Sequence, residues 1–161
     1  MGFVVFLDVD GVLNTRRTCQ KSLDGYTGID DERVKILSNS IKEMRGDGVV
    51  LTTTWKNLKP EDEDYVYFVG KLEQFGIKII GKTEDNEVNK RGEGIQKYLD
   101  AHPEIDEFVV LDDNEYEFSN TSRLWESFIT TDGKGIEHSA AASKTPSIPA
   151  MLFLDAVKKY S

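Results

Sequence analysis

Two apolar runs, Phe3 to Leu7 (FVVFL) and Phe108 to Leu111 (FVVL), constrain the fold more than any other feature of this chain. Both are unbroken stretches of β-branched and aromatic residues with no polar alternation, the pattern of strands covered on both faces. Such strands need helices above and below, and the sequence between them supplies these. From Asp30, aspartates open a helix in which Val34, Leu37, Ile41 and Met44 recur at helical spacing, and Gly46 and Gly48 end it. Val49 to Leu51 is a second strand. After Pro60 an acidic turn, Glu61 to Asp64, leads into a helix whose Tyr65, Phe68, Val69 and Leu72 share a face before Gly76. Ile77 to Ile80 is a third strand, and a helix from Arg91 runs through Ile95 and Leu99 towards Pro103. A fifth strand covers Ser127 to Thr130. A closing helix spans Ile148 to Tyr160, entered through Pro149, with Met151, Leu152 and Ala156 facing inward. Strands alternating with helices in this way predict one α/β domain over residues 1–161, a three-layer Rossmann-like fold whose mainly parallel sheet has order 3-2-1-4-5. Asn14 to Gly28 reads as a loop or flap, and Thr131 to Ser147 as the longest irregular piece.

Composition narrows the function classes. A formal charge of −9 argues against bulk affinity for nucleic acid or anionic membrane, which calls for a net basic surface. No apolar run approaches the roughly 18 residues of a membrane span. With no basic leader before the first strand, the expected location is cytoplasmic. The single cysteine, Cys19, excludes an internal disulfide and a cysteine-rich zinc site.

The strand ends carry the informative pattern: Asp8-Val9-Asp10-Gly11 after the first, Thr52-Thr53-Thr54 after the second, Asp112-Asp113 after the fourth. In an open parallel sheet the carboxyl ends share one edge, where ligands bind at the switch point of strand order. The order 3-2-1-4-5 places all three clusters there. Asp8, Asp10, Asp112 and Asp113 cannot crowd together ionised without a counter-charge. Hard oxygen ligands with no His or Cys beside them favour Mg²⁺. Cations stand where an anion needs them: Arg16, Arg17 and Lys21 in the flap, Lys56 and Lys59 after the second strand, Lys90 and Arg91 opening the third helix. Asp8 suits a nucleophile in phosphoryl transfer, and Asp10 an acid and base for the leaving group and for water. Trp55 reads as packing beside the site rather than as a stacking platform, Trp125 as core, and His102 as the cap of a helix end.

With those residues in hand, the sequence resembles the haloacid dehalogenase (HAD) superfamily of phosphohydrolases. "FLDVDGVLN" is similar to its DxDGxL/T signature, "VVLTTTW" to its second motif, "KRGEGIQKYL" to its basic third motif and "FVVLDDN" to its acidic fourth. The set also looks like the small cap-less HAD domain of multi-domain RNA-repair proteins. The resemblance implies Asp8 as nucleophile and metal ligand, and Asp10 as general acid and base whose backbone carbonyl binds Mg²⁺. It implies Thr52 as phosphate binder, with Thr53 competing, and Asp112 and Asp113 around the metal. Arg91 is favoured over Lys90 as the third-motif cation because it directly precedes the helix.

These readings predict a Mg²⁺-dependent phosphomonoester hydrolase working through an aspartyl-phosphate. About 35 residues separate the first motif from the second, leaving no room for a large cap. An open site suits a phosphorylated nucleotide or nucleic-acid end, or an oligomer that covers it. A small-metabolite or protein phosphatase, and a non-catalytic phosphate-binding module, are the alternatives. An EF-hand loop is excluded because Cys19 stands at its twelfth position, and a receiver domain because too little chain follows Asp113.

Overall fold

The computed structural model describes residues 2–18, 28–84 and 90–161. Its strands are β1 (Phe3–Leu7), β2 (Gly48–Leu51), β3 (Ile79–Lys82), β4 (Glu107–Asp112), β5 (Phe128–Thr130) and β6 (Ala140–Ala141). The helices are α1 (Asp31–Glu43), α2 (Glu63–Gln74), α3 (Arg91–Ala101), α4 (Ser122–Ser127) and α5 (Ile148–Tyr160). One six-stranded sheet runs β3-β2-β1-β4-β5-β6, parallel throughout except for β6 against β5. This is the expected α/β architecture and strand order, with one antiparallel edge strand added.

Strand alternation divides the core in two. Phe3, Val5 and Leu7 of β1, with Val49, Leu51, Val109 and Leu111, face α1, α2 and α5, while Val4, Phe6, Val50, Phe108 and Val110 face α3 and α4. Every residue of β1 is buried, which explains why its sequence carries no polar alternation. The register is in step at the top: Leu7 pairs with Leu51 on one side and Leu111 on the other. The ladder also extends one residue further, Asp8 N donating to Leu111 O at 3.0 Å and Thr52 N to Leu7 O at 3.0 Å. The residues after three strands are therefore held level with one another.

Several boundaries depart from the sequence reading. β3 lies two residues later than Ile77–Ile80, and its pairing with β2 shifts register between Val49 and Val50. Ser127 ends the short helix α4, which periodicity does not reveal, and β5 starts at Phe128. The irregular stretch 131–147 holds a 3₁₀ turn, Ile136–His138, and β6. Met151 and Leu152 do not face inward: they are 51% and 50% exposed. The inward face of α5 is instead Ala150, Phe153, Ala156 and Val157, set by the Ser147 cap that accepts from Ala150 N and so fixes the helix phase. Trp125 is half-buried against Phe128 rather than fully in the core. His102 does end α3, its ring 2.8 Å from Tyr98 O. Part of the 14–28 flap, with Cys19 and Lys21, lies outside the described residues.

Phe6 sits fully buried between Tyr98 and Phe108, edge-on to both. Phe6→Ala is expected to cost about 3–5 kcal/mol through lost burial and a residual cavity, read from urea unfolding; a loss below about 1 kcal/mol would contradict this packing.

Candidate functional site

At the carboxyl edge, β1 delivers Asp8, β4 delivers Asp112 and Asp113, and the first residue of α3 delivers Arg91. Oxygens of Asp8, Asp112 and Asp113 lie within 4.8 Å of one another. Arg91 reaches into this group, its Nη1 3.2 Å from Asp8 Oδ1 and 2.8 Å from Asp112 Oδ2. Asp112 Oδ1 accepts from Asn114 N at 3.0 Å. With all three ionised, three carboxylates against one guanidinium would leave two negative charges, a deficit that one divalent cation could balance. The donor set is all oxygen, which suits a hard cation.

The electrostatics reflect that deficit. Burial, then the charge of Asp112, pushes the Asp8 carboxyl well above the usual range despite the opposing pull of Arg91. Burial likewise raises Asp112, to about 6, with Arg91 working against it. Burial alone would lower the Arg91 pKa, but Asp112 and Asp8 more than offset it and hold the guanidinium charged.

The Asp10 side chain stands apart from this group of three. Its Oδ1 accepts from Asn14 Nδ2 at 3.0 Å and its Oδ2 from Trp55 Nε1 at 3.3 Å. Trp55 is buried and packs on Phe68, as the sequence reading has it, yet it also aims the Asp10 carboxylate. Gly11 follows at φ +83°, and a Cβ there would come within 2.5 Å of Asp113 Oδ2. The turn that carries Asp10 past the strand end thus has room for glycine alone. Its carbonyl is held by Thr131 Oγ1 at 2.7 Å and Gly135 N at 3.0 Å.

The paired candidates take different places. Thr53 Oγ1 accepts from Trp55 N, capping a 3₁₀ turn over Thr54–Asn57, whereas Thr52 Oγ1 is buried without a hydrogen-bond partner. Lys90 is exposed at the N-cap of α3, whereas Arg91 is buried among the carboxylates. Lys56 turns inward, donating to Thr83 Oγ1 at 3.0 Å and Thr52 O at 3.4 Å, and Lys59 is exposed. Arg16 and Arg17 are exposed and line an open cavity of about 1010 Å³ that reaches Asp10, Gly11 and Asp113.

Sequence reasoning misses three residues. Asn14 orients Asp10 and ties it to Gly28 O at 2.9 Å. Tyr116 lays its ring 4.5 Å from the Arg91 guanidinium, and Glu117 accepts from Gly92 N at 2.7 Å and Glu93 N at 3.2 Å. Nothing in the local sequence marks the last two, whose partners lie more than twenty residues upstream.

Residues 4–141 match a family model described as the HAD domain in Swiss Army Knife RNA repair proteins. No curated protein and no solved structure matches.

Burial raises both Asp8 and Asp112 and pushes Asp112 up to about 6, so raising the pH from about 4 through about 6 ionises Asp112 at a cost to the cation-free fold. Ionisation is also what a cation requires. A saturating divalent cation is therefore expected to raise Tm by several degrees at about pH 7.5 and by far less at about pH 5, measured by thermal unfolding. An equal rise at both would contradict a carboxylate-held cation.

Proposed function

The chain belongs to the family of HAD domains in Swiss Army Knife RNA repair proteins, and on that premise we propose a Mg²⁺-dependent phosphomonoester hydrolase that acts on phosphorylated nucleotides or nucleic-acid ends. The observation that carries the reading is the group of buried Asp8 and Asp112 with the more exposed Asp113, one guanidinium standing among three carboxylates. It stands beside the partnerless Thr52 hydroxyl on the neighbouring strand. Buried polar atoms without partners are rare; Thr52 Oγ1 and Arg91 Nε are two of three such side-chain atoms among the described residues, the third being Asp64 Oδ1.

In this reading Asp8, Asp112, Asp113 and the Asp10 carbonyl would hold a Mg²⁺ ion, which when bound would supply charge neutralisation for the incoming phosphoryl group. The free Asp8 oxygen attacks phosphorus while the bond to the substrate's alcohol oxygen breaks, and protonated Asp10 gives its proton to that oxygen. Asp10, now ionised, takes a proton from water. The water oxygen attacks phosphorus, the Asp8–phosphorus bond breaks, and inorganic phosphate leaves. Arg91 keeps Asp8 and Asp112 in register, and the Thr52 hydroxyl donates to a phosphoryl oxygen. The family's description and the open cavity beside Asp10 support a nucleotide or nucleic-acid end over a small sugar.

Asp8→Asn is expected to abolish hydrolysis of p-nitrophenyl phosphate, and EDTA to do so reversibly on Mg²⁺ return. Undiminished turnover in Asp8→Asn would overturn the mechanism, and saturable phosphate binding by the wild type without turnover would establish a binding module instead. Trp55→Phe keeps the packing on Phe68 but loses the hydrogen bond to Asp10, so kcat should fall about tenfold with KM nearly unchanged. A change confined to KM would place Trp55 in substrate binding.

A further inference from the structure

The cavity beside Asp10 continues between the loop of residues 14–17 after β1 and the loop after β5, where Asp132, Gly133, Lys134 and His138 line it. In a displacement at phosphorus the leaving oxygen departs opposite the attacking atom, and the acid that protonates it stands beside it. With Asp8 attacking and Asp10 protonating, the alcohol half of the substrate lies on the Asp10 side, where this cavity opens.

The charges of its walls describe that alcohol half. Arg16, Arg17 and Lys134 bring three cationic side chains to one groove of a chain whose net charge is −9, where the carboxylates of Asp10, Asp113 and Asp132 also stand. Arg33 also lines it, but its guanidinium is engaged by Asp30 and Glu137. Arg16 makes no ion pair among the described residues. The Lys134 ammonium reaches Asp132 at 3.9 Å, an exposed pair that water screens and that costs little to break. A neutral alcohol gives these cations nothing to meet, and the protein's overall field disfavours an anion anywhere they are absent.

We infer that the groove is the leaving-group subsite and that Arg16 and Lys134 bind a second phosphate carried by the alcohol half of the substrate. The inference rests on the hydrolase reading for its direction and adds the class of substrate: a phosphomonoester whose alcohol bears another phosphate. That phosphate is either the phosphodiester of a strand or the second monoester of a nucleoside bisphosphate.

Calorimetric titration of Asp8→Asn protein with Mg²⁺ tests it, using a nucleoside monophosphate, a nucleoside 3′,5′-bisphosphate, and dinucleotides phosphorylated at either end. A ligand with the second phosphate should bind about tenfold tighter than the monophosphate. The advantage should fall to near unity in Arg16→Ala/Lys134→Ala and survive in Lys35→Ala/Lys158→Ala, which removes the same charge from exposed helix positions. Gain with the dinucleotides alone identifies a strand, and gain with the bisphosphate as well identifies any second phosphate; both support the site. Equal affinities throughout, or an advantage that persists without Arg16 and Lys134, would overturn it. Wild-type hydrolysis of p-nitrophenyl phosphate is read separately. Turnover without the advantage removes the groove alone, and the advantage without turnover removes the hydrolase reading while leaving a second-phosphate site.

Discussion

A guanidinium with only 7% of its side chain exposed cannot stay buried without carboxylates, and Arg91 has two, Asp8 and Asp112, from different strands. The arrangement depends on packing that has nothing to do with charge. β1 and β4 must run parallel and in register so that Leu7 stands opposite Leu111, and α3 must begin where its first side chain enters between them. The two core layers supply this. Their apolar burial holds the strand ends level, and the charged groups are carried to one point as a consequence of the register.

The surroundings of Arg91 show how the position is kept. Tyr116 covers one face of the guanidinium, and the Glu117 carboxylate occupies the first free N–H groups of α3. A helix N-terminus is ordinarily a ready anion site. Here the protein fills it with its own side chain, so the favourable end of the macrodipole stabilises the helix that carries Arg91. Across β1 from β4, just past the end of β2, the buried Thr52 hydroxyl has no protein partner.

Much of this is legible in the sequence because parallel strands report themselves twice, by an apolar run and by the residues that end it. Phe3–Leu7 and Phe108–Leu111 mark the sheet centre, and Asp8, Thr52 and Asp112 mark one edge of it. Neighbours in the sequence differ by a fraction of a helical turn or a single strand position, and the structure gives them different surroundings: burial distinguishes Arg91 from Lys90, and hydrogen bonding distinguishes Thr52 from Thr53. Thr53 is used by the backbone and Lys90 faces outward. The features that stay hidden depend on distant contacts. The phase of α5 is ambiguous in the sequence because its apolar residues are contiguous, and only the Ser147 cap and the opposing layer decide which of Ala150 to Phe153 turn in. Glu117 carries no local signal, since a glutamate in a loop is ordinary until the helix it caps is placed beside it.

The turn at Gly11 does more than make room for Asp113. Its carbonyl is bonded by Thr131 and Gly135, and the next carbonyl, of Val12, accepts from Ile136 N at 2.8 Å. Two loops more than a hundred residues apart are therefore stitched backbone to backbone. For anyone recombining such domains, they form one inheritance unit: a β1 loop transplanted without its β5 counterpart would arrive with its carbonyls unanswered, and the two must be exchanged as a matched pair.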